Sequence, residues 1–335
     1  MISQVQSGLA AAPVQADTGL LLVDEACGQV MVDRLLGWLA QELGGARVCA
    51  LPVKGREADG QARVQVLFGQ AGAQAFGPIA DWGFDSLAAA LGGEDRLARF
   101  VAMDPRTPFF AQRLNWLHEA GQGALLGAMG APMGSYLGPS GLGFGVDCPV
   151  IWQTFPGVEP RDQLYTITAA QGQVIHEIDG RPALDVLREA AGEILARKLM
   201  QIPAYLFAAF PVSPTDPHDI LVRRINGLGQ RSATFSIDDD VLPGMVMTFA
   251  RRNGPFVAQV LKAGVANLLQ RAGGRLRAAI FLSDARRAAD FTNEGGEVAL
   301  VRHILGDVPL IEGQVTAPIS HNRLYPLASQ LIFLL

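Results

Sequence analysis

The segment AAIFLSDAR, residues 278–286, brings a hydroxyl, a carboxylate and a guanidinium close together along the chain. The hydroxyl of Ser283 would need a base within hydrogen-bond reach and oxyanion donors to act as a nucleophile. The Gly-x-Ser-x-Gly turn of α/β-hydrolases does not surround it. We therefore predict that Ser283 or Asp284 caps the segment after a strand, and we predict no catalytic residue.

Two arginines have a pattern that suits ligand binding. Arg223 lies in the apolar strand-like run LVRRI, and Arg286 follows the run IFLSDA. A guanidinium can hold a carboxylate or phosphate through two parallel hydrogen bonds. The alternative for each is an edge-strand arginine paired with a surface acid.

The sequence predicts no metal site. None of the five histidines, at 118, 176, 218, 303 and 321, has metal-ligand spacing to another. The acidic run 238–240 lacks the glycine and closing glutamate of a calcium loop, so we predict a turn. The three cysteines form no Cys-x-x-Cys pair, which makes a reducing cytoplasm the simplest location.

The stretch 164–187 contains the clearest local signals. An apolar, β-branched strand is predicted at 164–169 and a second strand at 174–178, joined by a turn at Gly172. Asp179-Gly180 ends the second strand, and Pro182 is expected in the first turn of the following helix.

The first half of the chain alternates strands and helices, which predicts an α/β lobe. Strands at 47–53 and 62–68 are expected to pair with each other. A strand is predicted at 124–126. The glycines that follow it, Gly127, Gly130 and Gly134, predict a loop that either lines a ligand pocket or simply joins two strands. A dinucleotide site is disfavoured because the loop-forming run GPSG, residues 138–141, follows instead of a helix.

Bulk properties narrow the class of protein. The chain has 335 residues, of which 49% are hydrophobic and 18% charged, and a net charge of -5. The length predicts two domains or one two-lobed unit, and the negative charge argues against a nucleic-acid partner. Membrane insertion is not expected because every apolar run is shorter than the roughly 18 residues of a spanning helix. Residues 1–17 lack the features of a secretory signal and are expected to be flexible.

Several motifs together resemble the FIST family, ligand-sensing modules of bacterial signalling proteins and some F-box proteins. The motifs are VIHEIDGRPAL at 174–184, LVRRI at 221–225, LPG at 242–244, AAIFLSDAR at 278–286, DVP at 307–309, Gly313 and ISHN at 319–322. The resemblance is firm over 164–322 and weak over 18–155. Two positions depart from the family pattern: Ser283 replaces a cysteine, and Ala317-Pro318 replaces a Gly-Glu pair.

The resemblance implies an α/β (α+β) fold with mixed or antiparallel sheets covered by helices, of which a four-layer α-β-β-α arrangement is one form. It implies an N-terminal lobe at 18–155, a linker at 156–163 and a C-terminal lobe at 164–335. A cytoplasmic, non-catalytic sensory protein is expected, binding a small anionic or amino-acid-like ligand between its lobes and signalling to a separate protein. The ligand-binding residues it implies are Arg223, Ser283, Arg286, His321, Asn322, Gly127 and Gly130.

Three alternatives stay open. No cofactor is expected, but some members of the family resemble haem-bound nitric-oxide sensors, for which His321 would be the axial ligand. A hydrolase-like enzyme would use Ser283 as nucleophile. A scaffolding role would leave the pocket without a ligand.

Overall fold

The computed structural model describes residues 18–42, 47–54, 64–69, 73–91, 96–131, 138–290 and 296–335. The N-terminus 1–17, which was predicted to be flexible, and Gly134 lie outside these ranges. The helices are α1 (Gly28–Glu42), α2 (Phe84–Ala90), α3 (Phe110–Gly121), α4 (Ala183–Ala196), α5 (Ile202–Tyr205), α6 (Gly254–Ala272) and α7 (Gly296–Leu305).

Strands are distributed along the whole described chain. The first eight are β1 (Thr18–Asp24), β2 (Arg47–Val53), β3 (Val64–Gly69), β4 (Ala73–Phe76), β5 (Ala98–Met103), β6 (Ala124–Met129), β7 (Ser140–Phe144) and β8 (Val150–Pro156). The next eight are β9 (Glu159–Pro160), β10 (Tyr165–Gln171), β11 (Val174–Ile178), β12 (Arg181–Pro182), β13 (Leu206–Pro211), β14 (Ile220–Gly229), β15 (Thr234–Ile237) and β16 (Val246–Arg251). The last are β17 (Ala278–Asp284), β18 (Leu310–Val315), β19 (Ala317–Ser320), β20 (Arg323–Leu324) and β21 (Ala328–Leu334). The mixed and antiparallel sheets confirm the predicted α+β class.

The chain divides into two compact units. Unit 1 comprises residues 1–154, 262–288 and 293–335, and unit 2 comprises 155–261 and 289–292. This division differs from the predicted consecutive lobes 18–155 and 164–335, because the C-terminal segment belongs to unit 1. The reason is strand pairing: β19 pairs with β6, placing Ile319 opposite Gly127. The predicted linker 156–163 is also part of unit 2, where β9 pairs with β16 and Val158 is buried.

Unit 1 is built from three sheets, with strand orders β2-β1-β3, β18-β17-β21-β8 and β20-β19-β6-β5-β7-β4. Alternation of side chains along each strand separates two faces. Leu20 and Leu22 of β1 join Phe100 of β5 in a core shared by all three sheets. Leu21 and Val23 face α1, and Val101 and Met103 face α2 and α3. Unit 1 therefore has the helix, sheet, sheet, helix order of the predicted layered arrangement.

Strands β2 and β3 do not pair with each other, so the prediction for 47–53 and 62–68 was wrong. β1 lies between them, parallel to β2 and antiparallel to β3. Alternating or continuous apolar runs predict strands but do not specify which strand pairs with which. β2 is consequently an edge strand of this sheet.

Unit 2 is an antiparallel sheet in the order β10-β11-β15-β14-β13-β16-β9, in which β10 also pairs with β16. This extra pairing joins six strands into a closed ring around a core that includes Ile167, Phe235 and Phe249. The predicted hairpin at 164–178 forms β10 and β11. Pro182 lies just before α4 and pairs with Glu177 as part of β12, instead of standing in the first helical turn.

Gly127 was predicted to begin a loop, but it lies inside β6, whose register with β5 continues to Met129. Its φ is 134°, and a Cβ added to it would lie 2.1 Å from the carbonyl oxygen of Val101. Only glycine tolerates both this conformation and this close approach of two backbones. The glycine is thus required by the pairing of β5 with β6.

We predict that Gly127→Ala lowers the free energy of unfolding by more than about 3 kcal/mol, because backbone atoms must move apart. Gly37→Ala is the matched control, since Gly37 lies in α1 with no atom within 4 Å of an added Cβ. That change is expected to stabilise the protein by about 0.5–1 kcal/mol. Urea unfolding of both variants measures the difference, and a Gly127→Ala protein as stable as the wild type would contradict this explanation.

Candidate functional site

The candidate site is a cavity of about 580 Å³ within unit 1. Its walls come from α1, from β2 and from the ends of β4, β5 and β7. The lining residues are Gln29, Val32, Leu36, Ala40, Arg47, Val48, Cys49, Ala50, Pro52, Ala75, Phe76, Gly77, Pro78, Ala102, Met103, Asp104, Ala131, Gly138 and Ser140. The volume lies within the range of about 300–1,000 Å³ that is usual for small-molecule sites.

The unpaired edge of β2 forms one wall of this cavity. The carbonyl of Pro52 accepts a hydrogen bond from the Ala131 N–H, and the N–H of Lys54 donates to Gln314, so these groups point away from β1. Backbone groups of alternate residues in a strand point to the same side. Val48 and Ala50 therefore also direct their N–H and C=O groups away from β1, along the wall that they form.

Pro52 fits this edge because it has no N–H to give to a neighbouring strand. Proline within a sheet is confined to positions such as this one, where the missing donor would face away from the ladder. The proline in RVCALPV therefore marks β2 as an edge strand.

Two charged side chains line the cavity and differ in their surroundings. Asp104 accepts hydrogen bonds from Nε of Arg106 at 2.9 Å and from its Nη2 at 2.5 Å. Burial opposes ionisation of Asp104, but the Arg106 side-chain and backbone hydrogen bonds outweigh it and lower the carboxyl pKa. Arg47 is exposed and has no hydrogen bond or ion pair with any residue that the structure describes. The cavity therefore presents one carboxylate that is already neutralised and one guanidinium that is not.

The thiol of Cys49 and the hydroxyl of Ser140 are the side-chain groups in this cavity that come nearest to serving as a nucleophile. Sγ of Cys49 lies 3.5 Å from Oγ of Ser140. Burial raises the pKa of the Cys49 thiol to about 11, and the hydrogen bond with Ser140 offsets only part of that rise. At neutral pH the group is a thiol, which is a poor nucleophile compared with a thiolate.

Of the seven residues predicted from sequence, only Gly130 lies next to this cavity, beside the lining residue Ala131. A Cβ on Gly130 would lie 2.6 Å from the carbonyl oxygen of Pro52, so glycine is needed for packing against β2. Gly127 lies further back along β6, against Val101.

Ser283 and Arg286 lie near each other at the end of β17, in a network of buried charges. The Ser283 hydroxyl donates to Oε2 of Glu297 at 2.7 Å. Arg286 forms an ion pair with Asp284, which is fully buried and not the surface acid that the alternative prediction expected.

The neighbouring Arg287 is 1% exposed and paired with Glu297. Ser329 completes the arrangement by accepting from Nη1 of Arg287 at 3.1 Å. A buried pair of this kind needs these additional hydrogen bonds to offset its desolvation.

His321 and Asn322 form an exposed turn after β19. The His321 ring lies 5.8 Å from the Trp152 ring and 6.0 Å from that of His118, measured between centroids. Its Nδ1 lies 3.2 Å from Oγ of Ser320. His321 does not line the cavity, so the haem alternative gains no support there and remains a prediction.

Arg223 belongs to unit 2, where its Nε donates to Asp239 at 2.7 Å. Arg224 pairs in the same way with Asp238. Both acids lie in the run 238–240, where the bend confirms the predicted turn. Arg223 and Arg224 are therefore each paired with an acid of this run within unit 2.

Comparison with known proteins adds distant relatives and no function. The chain matches no protein-family model. Two uncharacterised proteins, one from Mycobacterium bovis and one from Mycobacterium tuberculosis, are each 26% identical over 170 residues. The match covers 48% of this chain and 42% of each relative, so it spans less than half of their length. Across the part of the chain that the structure describes, no helix is both long and apolar enough to cross a membrane.

The buried network predicts a large effect of breaking one ion pair. Arg287→Met leaves Glu297 buried without its cation, and the free energy of unfolding is expected to fall by about 3–5 kcal/mol. Arg181→Met, which removes an exposed pair with Glu189, is the control and should cost much less, because solvent screens that pair. Denaturant midpoints test this, and equal losses in the two variants would contradict the assigned role.

Thiol reactivity tests the surroundings of Cys49. At pH 8 we expect iodoacetamide to modify Cys27, which is partly exposed, before it modifies the buried Cys49. Burial and the Asp24 charge also raise the pKa of Cys27, but it remains accessible. Peptide mass spectrometry over time gives the order, and Cys49 reacting first would contradict a thiol that is both buried and neutral.

Proposed function

We propose that this chain is a non-catalytic sensory protein that binds a small anionic molecule in the unit 1 cavity. The observation that carries the proposal is the guanidinium of Arg47, which is unpaired among the described residues and lies on the wall of a largely apolar cavity of about 580 Å³. A guanidinium beside apolar walls favours a ligand that combines an acidic group with an apolar body. This location is within unit 1, whereas the family resemblance predicted a ligand between two lobes.

The chemistry of the lining residues supports binding without turnover. A nucleophile needs a base that can take its proton. Cys49 contacts the hydroxyl of Ser140, and burial keeps it in the thiol form. Asp104, the one carboxylate among the described lining residues, is engaged by Arg106. A hydrolase that uses Ser283 is not favoured, since this hydroxyl is buried and the Glu297 carboxylate that accepts its hydrogen bond is already paired with Arg287.

The sensory part of the proposal depends on the resemblance to the FIST family. A ligand-binding protein of this kind would pass its state to a separate signalling protein. We propose a cytoplasmic location because none of the three cysteines is in a disulfide.

Blocking the cavity tests the proposal. Ala40 lines the cavity from α1, and Gln41 is its exposed neighbour outside the lining set. We expect Ala40→Trp to abolish binding because the indole occupies the ligand volume, while Gln41→Trp leaves binding unchanged.

Binding is measured by thermal shift with free amino acids and with two- to six-carbon carboxylic acids, and by native mass spectrometry of the protein as purified. A ligand that binds the wild type and the Ala40→Trp protein equally well would contradict a site in this cavity. A wild-type protein that carries no ligand and shifts with none of these acids would argue for the scaffolding alternative.

A further inference from the structure

The edge of β2 offers hydrogen-bonding groups that a simple carboxylic acid would not use. Val48 and Ala50 each direct one N–H and one C=O away from β1, on a wall of the cavity. Among the described residues, no backbone group outside the ladder hydrogen-bonds to either of them. An unsatisfied backbone group in a partly enclosed place is costly, so a ligand with matching amides gains free energy there.

We propose that the ligand is a short peptide with a free C-terminal carboxylate, bound as an added strand on the edge of β2. This inference rests on the proposed function and names the chemical class of the ligand. In this arrangement the peptide amides pair with Val48 and Ala50, in the manner of β-strand addition. Its carboxylate forms a two-point pair with the guanidinium of Arg47.

The geometry also gives the peptide a direction and a length. Arg47 is the first residue of β2, so a carboxylate held there makes the peptide run antiparallel to the strand. Ala50 lies three residue steps after Arg47, a distance of about 10 Å at about 3.3 Å per residue. The edge therefore accommodates about three peptide residues before it reaches Pro52, whose carbonyl is already bonded to Ala131.

The other walls define which side chains fit. Val32 and Leu36 of α1 and Phe76 at the end of β4 line the cavity with apolar surface. Alternate side chains of an extended peptide point to opposite sides. Small or medium apolar side chains suit these walls, and the Cys49–Ser140 pair offers a polar contact.

Isothermal titration of the full chain tests the class of ligand. The probe is N-acetyl-Ala-Leu-Ala with a free carboxylate. Three comparators are its C-terminal amide, an analogue with the central amide replaced by an ester, and octanoate. We expect the peptide acid to bind at least about tenfold more tightly than its C-terminal amide, because the amide loses the charge-assisted pair. The ester and octanoate should bind more weakly because they lack amide donors.

Protein variants test the two proposed contacts separately, the pair with Arg47 and the hydrogen bond from the N–H of Ala50. Arg47→Met should bring the affinity for the peptide acid down to that for the C-terminal amide, whereas Arg34→Met, an exposed arginine outside the lining set, should leave it unchanged. Ala50→Pro removes the outward N–H without touching the ladder to β1, and should weaken binding. Ala50→Val keeps the N–H and is the matched control for added bulk, while thermal melting checks that each variant is folded.

The possible negative results distinguish failure of the peptide proposal from failure of the proposed function. If octanoate binds as tightly as the peptide and both depend on Arg47, the peptide class is overturned while a small anionic ligand in the cavity stands. If the peptide binds but Ala50→Pro and Ala50→Val behave alike, the edge of β2 does not hold it and the proposal is wrong. If no probe binds the wild type, the peptide class is again overturned, and the cavity-blocking comparison of Ala40→Trp with Gln41→Trp decides the proposed function.

Discussion

The unpaired edge of β2 is the constraint on which the candidate site depends. Among the described strands, β2 pairs with β1 alone. On its other side the backbone meets Ala131 at one end and the cavity along the rest. An exposed strand edge invites pairing with another chain, and proteins usually cover or charge it. Here α1 and the ends of β4, β5 and β7 lie around the edge and leave a cavity of about 580 Å³ beside it.

The remaining structure of unit 1 keeps this edge in place. Gly127 allows β5 and β6 to approach closely, and Gly130 lets the next residues pack on Pro52. At the end of β17, the buried Arg287–Glu297 pair and the hydroxyls of Ser283 and Ser329 attach the following segment to the core. Several residues that suggested ligand chemistry in the sequence therefore have structural roles, because buried backbone and buried charge both need specific partners.

The sequence predicted the individual strands and helices better than the order in which the strands pair. Strand and helix periods identified the hairpin at 164–178 and most of the strands, since these signals are local. Strand order depends on long-range pairing, which the sequence signals do not give. The return of residues 262–288 and 293–335 to unit 1 and the position of β1 between β2 and β3 were therefore missed. The cavity was missed for the same reason. One local signal for it was present: the proline in RVCALPV, which marks an edge strand.

Amide hydrogen exchange of β2 tests the central claim most directly, because it reads the backbone groups themselves. In the free protein we expect the amides of Val48 and Ala50 to exchange rapidly, and those of Cys49 and Leu51 to be protected by pairing with β1. Saturation with N-acetyl-Ala-Leu-Ala should slow exchange at Val48 and Ala50 and leave Cys49 and Leu51 unchanged. Val48 and Ala50 amides that are already protected in the free protein, or that are unaffected by the peptide, would contradict the account.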